Sequence, residues 1–161
     1  MRNRILIVTL ALAAMCFSSC GGQKKAAKVS APTEECVVLG FQYGTNIAAE
    51  EAKDITDIFI VNFHPAKIKV AEAERVNSEL VNSGFQQVKM TKRQACEIGR
   101  RLGAKYVVVG SINMLMDEYS VDVQILDSVK ETTVLFEGKA FPKPACSEEI
   151  NVMARKIASK L

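Results

Sequence analysis

Little in this chain of 161 residues is chemically reactive. Its single histidine, His64, stands before Pro65 at the end of an apolar helical pattern, where a helix-terminal or surface position is expected rather than a catalytic base. No CxxC or Cys/His spacing is present, which removes the usual metal signatures. The stretch "LGFQYGTN" has two glycines in neither P-loop nor GxGxxG order, so nothing in it is built to cradle phosphate. No nucleophile, base and orienting group can be assembled, so neither an enzyme nor a bound cofactor is expected. No apolar run reaches the roughly 20 residues that cross a bilayer, and no internal repeat is visible. Nor is there a basic cluster. The net charge of +3 falls to −2 once Arg2, Arg4, Lys24, Lys25 and Lys28 are set aside, leaving 16 basic against 18 acidic residues. That balance argues against nucleic acid as a partner.

What is present begins at the amino terminus. "MRNR" is followed by the apolar "ILIVTLALAAMCF", a basic region and a hydrophobic core of secretory length. Phe17-Ser18-Ser19-Cys20 resembles the bacterial lipobox, in which a cysteine becomes the acylated new terminus. Residues 1–19 are therefore expected to be a lipoprotein signal peptide and Cys20 the site of a covalent lipid, the alternative being a plain secretory signal. Each buried methylene adds about 0.8 kcal/mol, so several acyl chains anchor stably. Gly21, rather than an acidic residue, follows Cys20, and in this class of signals that implies the outer membrane, the domain facing the periplasm.

Residues 20–34 are small, polar and basic, and are expected to form a short flexible tether; residues 35–161 are expected to form a single domain. Stretched, about 15 residues reach roughly 50 Å; as a coil they reach nearer 20 Å. The domain should stay close to its own membrane. Its cysteines, Cys36, Cys96 and Cys146, are odd in number; one disulfide and buried free thiols are both open readings.

Within the domain, "ECVVLGFQYG" (35–44) is expected to be one buried strand. Ala48, Ala52, Ile55, Phe59 and Phe63 recur with helical spacing and mark a helix ending near His64-Pro65. Ile68 and Val70 belong to a second strand. The next helix carries Val76, Leu80 and Val81 inward and ends at Gly84. Thr91 caps a third helix whose inner face is Ala95, Ile98, Gly99 and Leu102, with Gly103 as its stop. Gly99 costs helix propensity of about 1 kcal/mol against Ala, which is explained by close packing on a sheet. The period then becomes two. "KYVVVGSINML" is the central strand, "YSVDVQILD" sets Tyr119, Val121, Val123 and Ile125 on one face, and "TTVLFEGKAF" alternates similarly through Val134 and Phe136. Short turns at 116–118 and 128–131 imply antiparallel hairpins. Ser147 caps a last helix with Glu148 and Glu149 in its first turn and Ile150, Met153, Ala154, Ile157 and Leu161 as its buried stripe. The order β-α-β-α-α-β-β-β-α predicts an α/β (α+β) domain: one mixed sheet with helices packed on it.

Ala95 to Ile112, "ACEIGRRLGAKYVVVGSI", resembles a family of envelope proteins that includes the curli secretion lipoprotein (CsgG-type), the penicillin-binding-protein activators (LpoB-type) and the amino-terminal domain of the Tol-system propeller protein. "CVVLGF" and "VAEAERVNSELVNSG" add weaker matches. The resemblance implies an α/β domain used for protein contacts in the envelope, without catalysis. A pore is disfavoured, because membrane-spanning hairpins need strands of about 9–11 residues and every strand already has a place in the domain. The expected function is that of an accessory in envelope assembly, secretion or peptidoglycan synthesis. The alternatives are a self-assembling, ring-like subunit of an export apparatus and a small-molecule or peptide-binding periplasmic module. Candidate contacts with a partner protein are Arg100 and Arg101, which could receive a carboxylate, and Asp117 and Glu118 at a hairpin tip.

Overall fold

A computed structural model describes residues 33–86 and 89–161. The expected signal peptide, Cys20 and nearly all of the expected tether lie outside these residues. Strands β1 (Thr33–Val38), β2 (Gln42–Tyr43), β3 (Lys69–Val70), β4 (Ala104–Leu115), β5 (Glu118–Asp127) and β6 (Thr132–Pro142) form one mixed sheet. Helices α1 (Ala49–Asn62), α2 (Ala73–Ser83), α3 (Lys92–Leu102) and α4 (Cys146–Ala158) pack on it. The sheet order is β3-β1-β4-β5-β6, with β2 also paired to β4. Strands β1, β2 and β3 run parallel to their neighbours, whereas β4-β5-β6 is an antiparallel meander. The expected fold class is observed, and the first strand begins at Thr33, two residues earlier than expected.

The single strand expected over 35–44 is two. After Leu39, whose amide still donates to the Val108 carbonyl at 2.9 Å, the chain breaks its ladder, and the Phe41 amide donates to Thr56 Oγ1 at 3.1 Å, tying the break to α1. The ring of Phe41 drops onto β4 where Gly110 leaves room: a Cβ there would stand 2.3 Å from Phe41 Cδ1. Phe41 then meets Phe59 at 5.2 Å between centroids, and Phe59 stacks on Phe63 at 5.4 Å. These rings, with Val108, Ile112, Val121, Val123, Ile125, Ile150 and Ile157, fill the core between the sheet and the α1/α4 layer.

The opposite face carries α2 and α3 over a second core that includes Val37, Leu39, Val107 and Leu126. Helix α3 starts as expected: Thr91 Oγ1 accepts from the Gln94 amide, and Gln94 Oε1 accepts from the Thr91 amide, a complete capping box. Gly84 and Gly103 end α2 and α3 in the left-handed region. Gly99 lies so close to the sheet that a Cβ would be 2.4 Å from Val107 Cγ2, which bears out the expected packing.

Four readings are corrected. Val81 is 80% exposed, because α2 covers only the sheet margin and needs just Val76 and Leu80 inward. Helix α4 begins at Cys146 after a 3-10 turn (Lys143–Ala145), and no side chain caps it, Ser147 included. That helix ends at Ala158, which takes the last buried place while Leu161 is only half-buried. On β6 the inward residues are Leu135 and Phe141, and Val134 and Phe136 point to the other side. A register shift between Ile125 and Leu126 leaves Val134 without a paired residue.

Helices α1 and α4 run parallel, and their first turns meet beneath the β4–β5 hairpin. Lys143 Nζ lies 2.5 Å from Glu51 Oε1, and the Tyr119 hydroxyl donates to the same oxygen. The Lys143 hydrogen bond, then that of Tyr119, holds the Glu51 carboxyl below its ordinary 4.5.

Two outcomes follow. Gly110→Ala should destabilise the domain by about 2–3 kcal/mol through overpacking, and Phe41→Ala by about 3–5 kcal/mol through a cavity. In a double-mutant cycle followed by urea unfolding, the Gly110→Ala penalty should shrink to under about 1 kcal/mol once Phe41 is truncated; additive losses would refute the contact. The depressed Glu51 carboxyl contributes stability above 4.5 that is lost as pH falls through its lower folded value. Wild type should therefore lose its urea midpoint more steeply than Glu51→Gln between about pH 5 and pH 3, and parallel curves would remove this network as a contributor.

Candidate functional site

The three thiols of the domain are free. Cys36 faces the α1/α4 core and Cys96 the α2/α3 core, so the sheet stands between them. Burial, helped by Glu35, pushes the Cys36 thiol up to about 12, and burial also raises Cys96 and Cys146. Thiols so shifted carry little thiolate, the reactive form. His64 lies exposed just beyond α1. Among the described residues no three of His, Cys, Asp and Glu gather as a metal cluster, and no helix is long and apolar enough to cross a membrane.

The four candidate contact residues fall into two separate places. Arg100 and Arg101 end α3, at the side of the sheet where β4 begins. Both are engaged within the chain. Arg100 donates to the Ser128 carbonyl and to Glu131, each at 2.8 Å; Arg101 pairs with Glu97 and, at 3.3 Å, with Glu79. Asp117 and Glu118 stand at the β4–β5 tip, about 30 Å away along the strands at ~3.3 Å per residue. There the Asp117 carbonyl accepts from the Lys143 amide at 2.9 Å. Beside them Leu115 and Met116 are 75% and 87% exposed, Met116 in the left-handed region at φ 56°.

Sequence reasoning missed a surface that joins this tip. Helices α2 and α3 cover their face of the sheet only as far as Val107, Val109 and Leu126. Beyond that line the same face continues through Ser111, Asn113 and Leu115 on β4, Ser120, Asp122 and Gln124 on β5, and Phe136, Gly138 and Ala140 on β6. Among the described residues no helix packs on its outer part, although the start of α3 overhangs Ser111, Asp122 and Gln124. Its centre is polar, and Phe136 and Val134 stand 57% and 54% exposed at its margin. The alternation of Ser120, Asp122 and Gln124 is the signal that one side of β5 meets solvent. For β6, sequence alternation alone could not choose the side, because the bulge moves Val134 out of register. A cleft of 190 Å³ between the start of α3 and the sheet, lined by Gln42, Met90, Lys92 and Asp122 among others, opens onto this face. The outer edge of β6 has no neighbouring strand among the described residues. The arrangement offers hydrogen-bonding groups, a few apolar side chains and a free strand edge, which suits contact with a protein surface rather than bond-making chemistry.

No established protein family and no curated protein sequence matches the chain. Its fold does match solved structures. The LpoB C-terminal domain from Salmonella enterica is similar at a TM-score of 0.51 and 15% identity, over 69% of this chain and 84% of that one. Lipoprotein GNA1162 from Neisseria meningitidis is similar at 0.53 and 10% identity, over 80% of this chain and 99% of that one. TolB from Acinetobacter baumannii is similar at 0.51 and 15% identity; the match takes in 80% of this chain but 27% of TolB. The chain thus has the fold of LpoB-type and TolB-type domains, and the curli-type part of the expected resemblance is not shown by them.

Proposed function

We propose that this protein is a bacterial envelope lipoprotein, acylated at Cys20 and held by its lipid at the outer membrane facing the periplasm. It acts without catalysis, binding another envelope protein as an accessory in envelope assembly, secretion or, as the likeness to LpoB domains favours, peptidoglycan synthesis. The observation that carries this reading is the uncovered half of the sheet with Phe136, Val134, Leu115 and Met116 exposed around a polar centre. Soluble proteins cover or blunt such sheet surfaces unless they are used. Arg100 and Arg101, already satisfied by Glu131, Glu79 and Glu97, fall outside the proposed contact; Asp117 and Glu118 lie at its end.

The free edge of β6 favours a second reading, in which copies of the chain add to one another strand by strand into a ring-like subunit assembly. In-cell cross-linking from a photoreactive residue at Phe136 separates the two. A defined envelope protein recovered from Phe136, absent when the probe sits at Val81 on α2 and absent in Cys20→Ala, is the expected result. Self-cross-links alone would put the second reading first. Identical recovery from Phe136 and Val81 would remove the sheet face as the contact, and unchanged membrane fractionation of Cys20→Ala would remove the anchor.

A further inference from the structure

Strand β1 begins at Thr33 beside Ala104, the first residue of β4. The same pole of the domain holds the final turns of both α1 and α4, because each helix descends antiparallel to the strand before it. Between those helix ends lies a cavity of 690 Å³. His64, Lys67, Arg155 and Lys160 ring it, Val61 and Ala158 supply apolar wall, and no acidic side chain of the described residues lines it; Glu35 and Glu131, elsewhere at this pole, are paired with Arg75 and Arg100. Lys67 and Arg155 have no salt-bridge partner among the described residues; Lys160 reaches Glu137 at 3.5 Å, and Glu137 also takes Lys156 at 2.5 Å. Amid these cations Val61 is 68% exposed. The far pole has the opposite character. It gathers Glu50 and Glu51, Glu148 and Glu149, and the hairpin residues Asp117 and Glu118, of which Glu51 is paired with Lys143 and Glu149 with Lys139.

We infer that the basic pole is a membrane-docking surface that seats on anionic phospholipid headgroups. This rests on the lipid anchor at Cys20 proposed above. Only 12 residues separate Cys20 from Thr33, a reach of at most roughly 45 Å, and Lys24, Lys25 and Lys28 lie among them. The pole that receives this segment is therefore the one nearest the bilayer. A cation near an anionic surface raises association about fivefold, and an exposed apolar residue among cations is the composition of an interfacial contact. The acidic pole is repelled by the same field. Docking thus fixes an orientation: helix ends down and hairpin tip away from the membrane.

The test uses the full chain isolated from membranes of cells that make it, mixed with vesicles of phosphatidylcholine alone or with phosphatidylglycerol added. Flotation reports binding, and labelling by a membrane-impermeant amine reagent reports which lysines face the lipid. On phosphatidylglycerol vesicles at low salt, labelling of Lys67 and Lys160 should slow at least about fivefold relative to phosphatidylcholine, with Lys53 unchanged, and recover at high salt. Lys67→Glu combined with Arg155→Glu should abolish the slowing at Lys160 while the far-ultraviolet circular dichroism stays that of wild type. Flotation on both lipids without protection of Lys67 would keep the anchor and overturn the docking surface. Salt-sensitive flotation only with phosphatidylglycerol would support the surface and overturn the anchor. Flotation with neither would overturn both.

Discussion

The ring of Phe41 lying across Gly110 is the contact on which the rest of the domain is arranged. A side chain at position 110 would occupy the ring's place. Because the ring must reach down to the sheet, the chain leaves β1 after Val38 and rejoins β4 at Gln42, which splits the first strand. The same detour brings the Phe41 amide to Thr56 and so sets the height of α1. With α1 placed by Phe41, Phe59 and Phe63, α4 can only lie alongside it, and the joint of their first turns is closed by Glu51, Lys143 and Tyr119. On the reverse side Gly99 lets α3 settle against Val107. Strand β4 is thus gripped from both faces at its first half, and its second half is left bare on one of them.

Much of this was legible in the residues. Periodicity located every helix and the antiparallel meander, and Thr91 with Gln94 announced the start of α3 through local hydrogen bonding alone. Gly99, poor for a helix, was readable as a contact. What escaped has a common physical cause: it depends on partners distant in sequence. Nothing in "ECVVLGFQYG" says that Phe41 must turn toward a glycine 69 positions on. Val81 has helical spacing suited to burial, yet whether a second row is needed depends on how much sheet lies under α2. Val134, Leu135 and Phe136 are all apolar, and only the bulge opposite Leu126 decides which of them faces the core. The candidate site followed the same rule. Charge pairs were visible as Arg100-Arg101 and Asp117-Glu118, but their distance apart and the internal partners of the arginines come from the fold. The uncovered sheet face was half visible, in Ser120, Asp122 and Gln124.

The domain holds its surfaces in a set geometry. On the α2/α3 side the antiparallel meander projects past the helices that cover its base, whereas on the other side α1 and α4 reach up to the hairpin. The meander keeps one side packed on α4 and offers the other. The chemistry of the offered side is mild, mostly hydroxyls and amides with few apolar groups. Under the proposed function, such a composition would hold a partner weakly.

The position of the thiols has a consequence for how the protein must mature. In a compartment that permits disulfides, any two of Cys36, Cys96 and Cys146 could be oxidised in a chain that has not yet folded. Once the sheet forms, Cys36 and Cys96 are walled off from one another, and burial keeps both protonated. In such a compartment folding would therefore run a race with oxidation. A chain that loses the race would be cross-linked through the place where β1 or α3 should lie, and could not complete the core. In the folded domain the sheet keeps Cys36 and Cys96 apart, so a bond between them would mark a chain that had not folded.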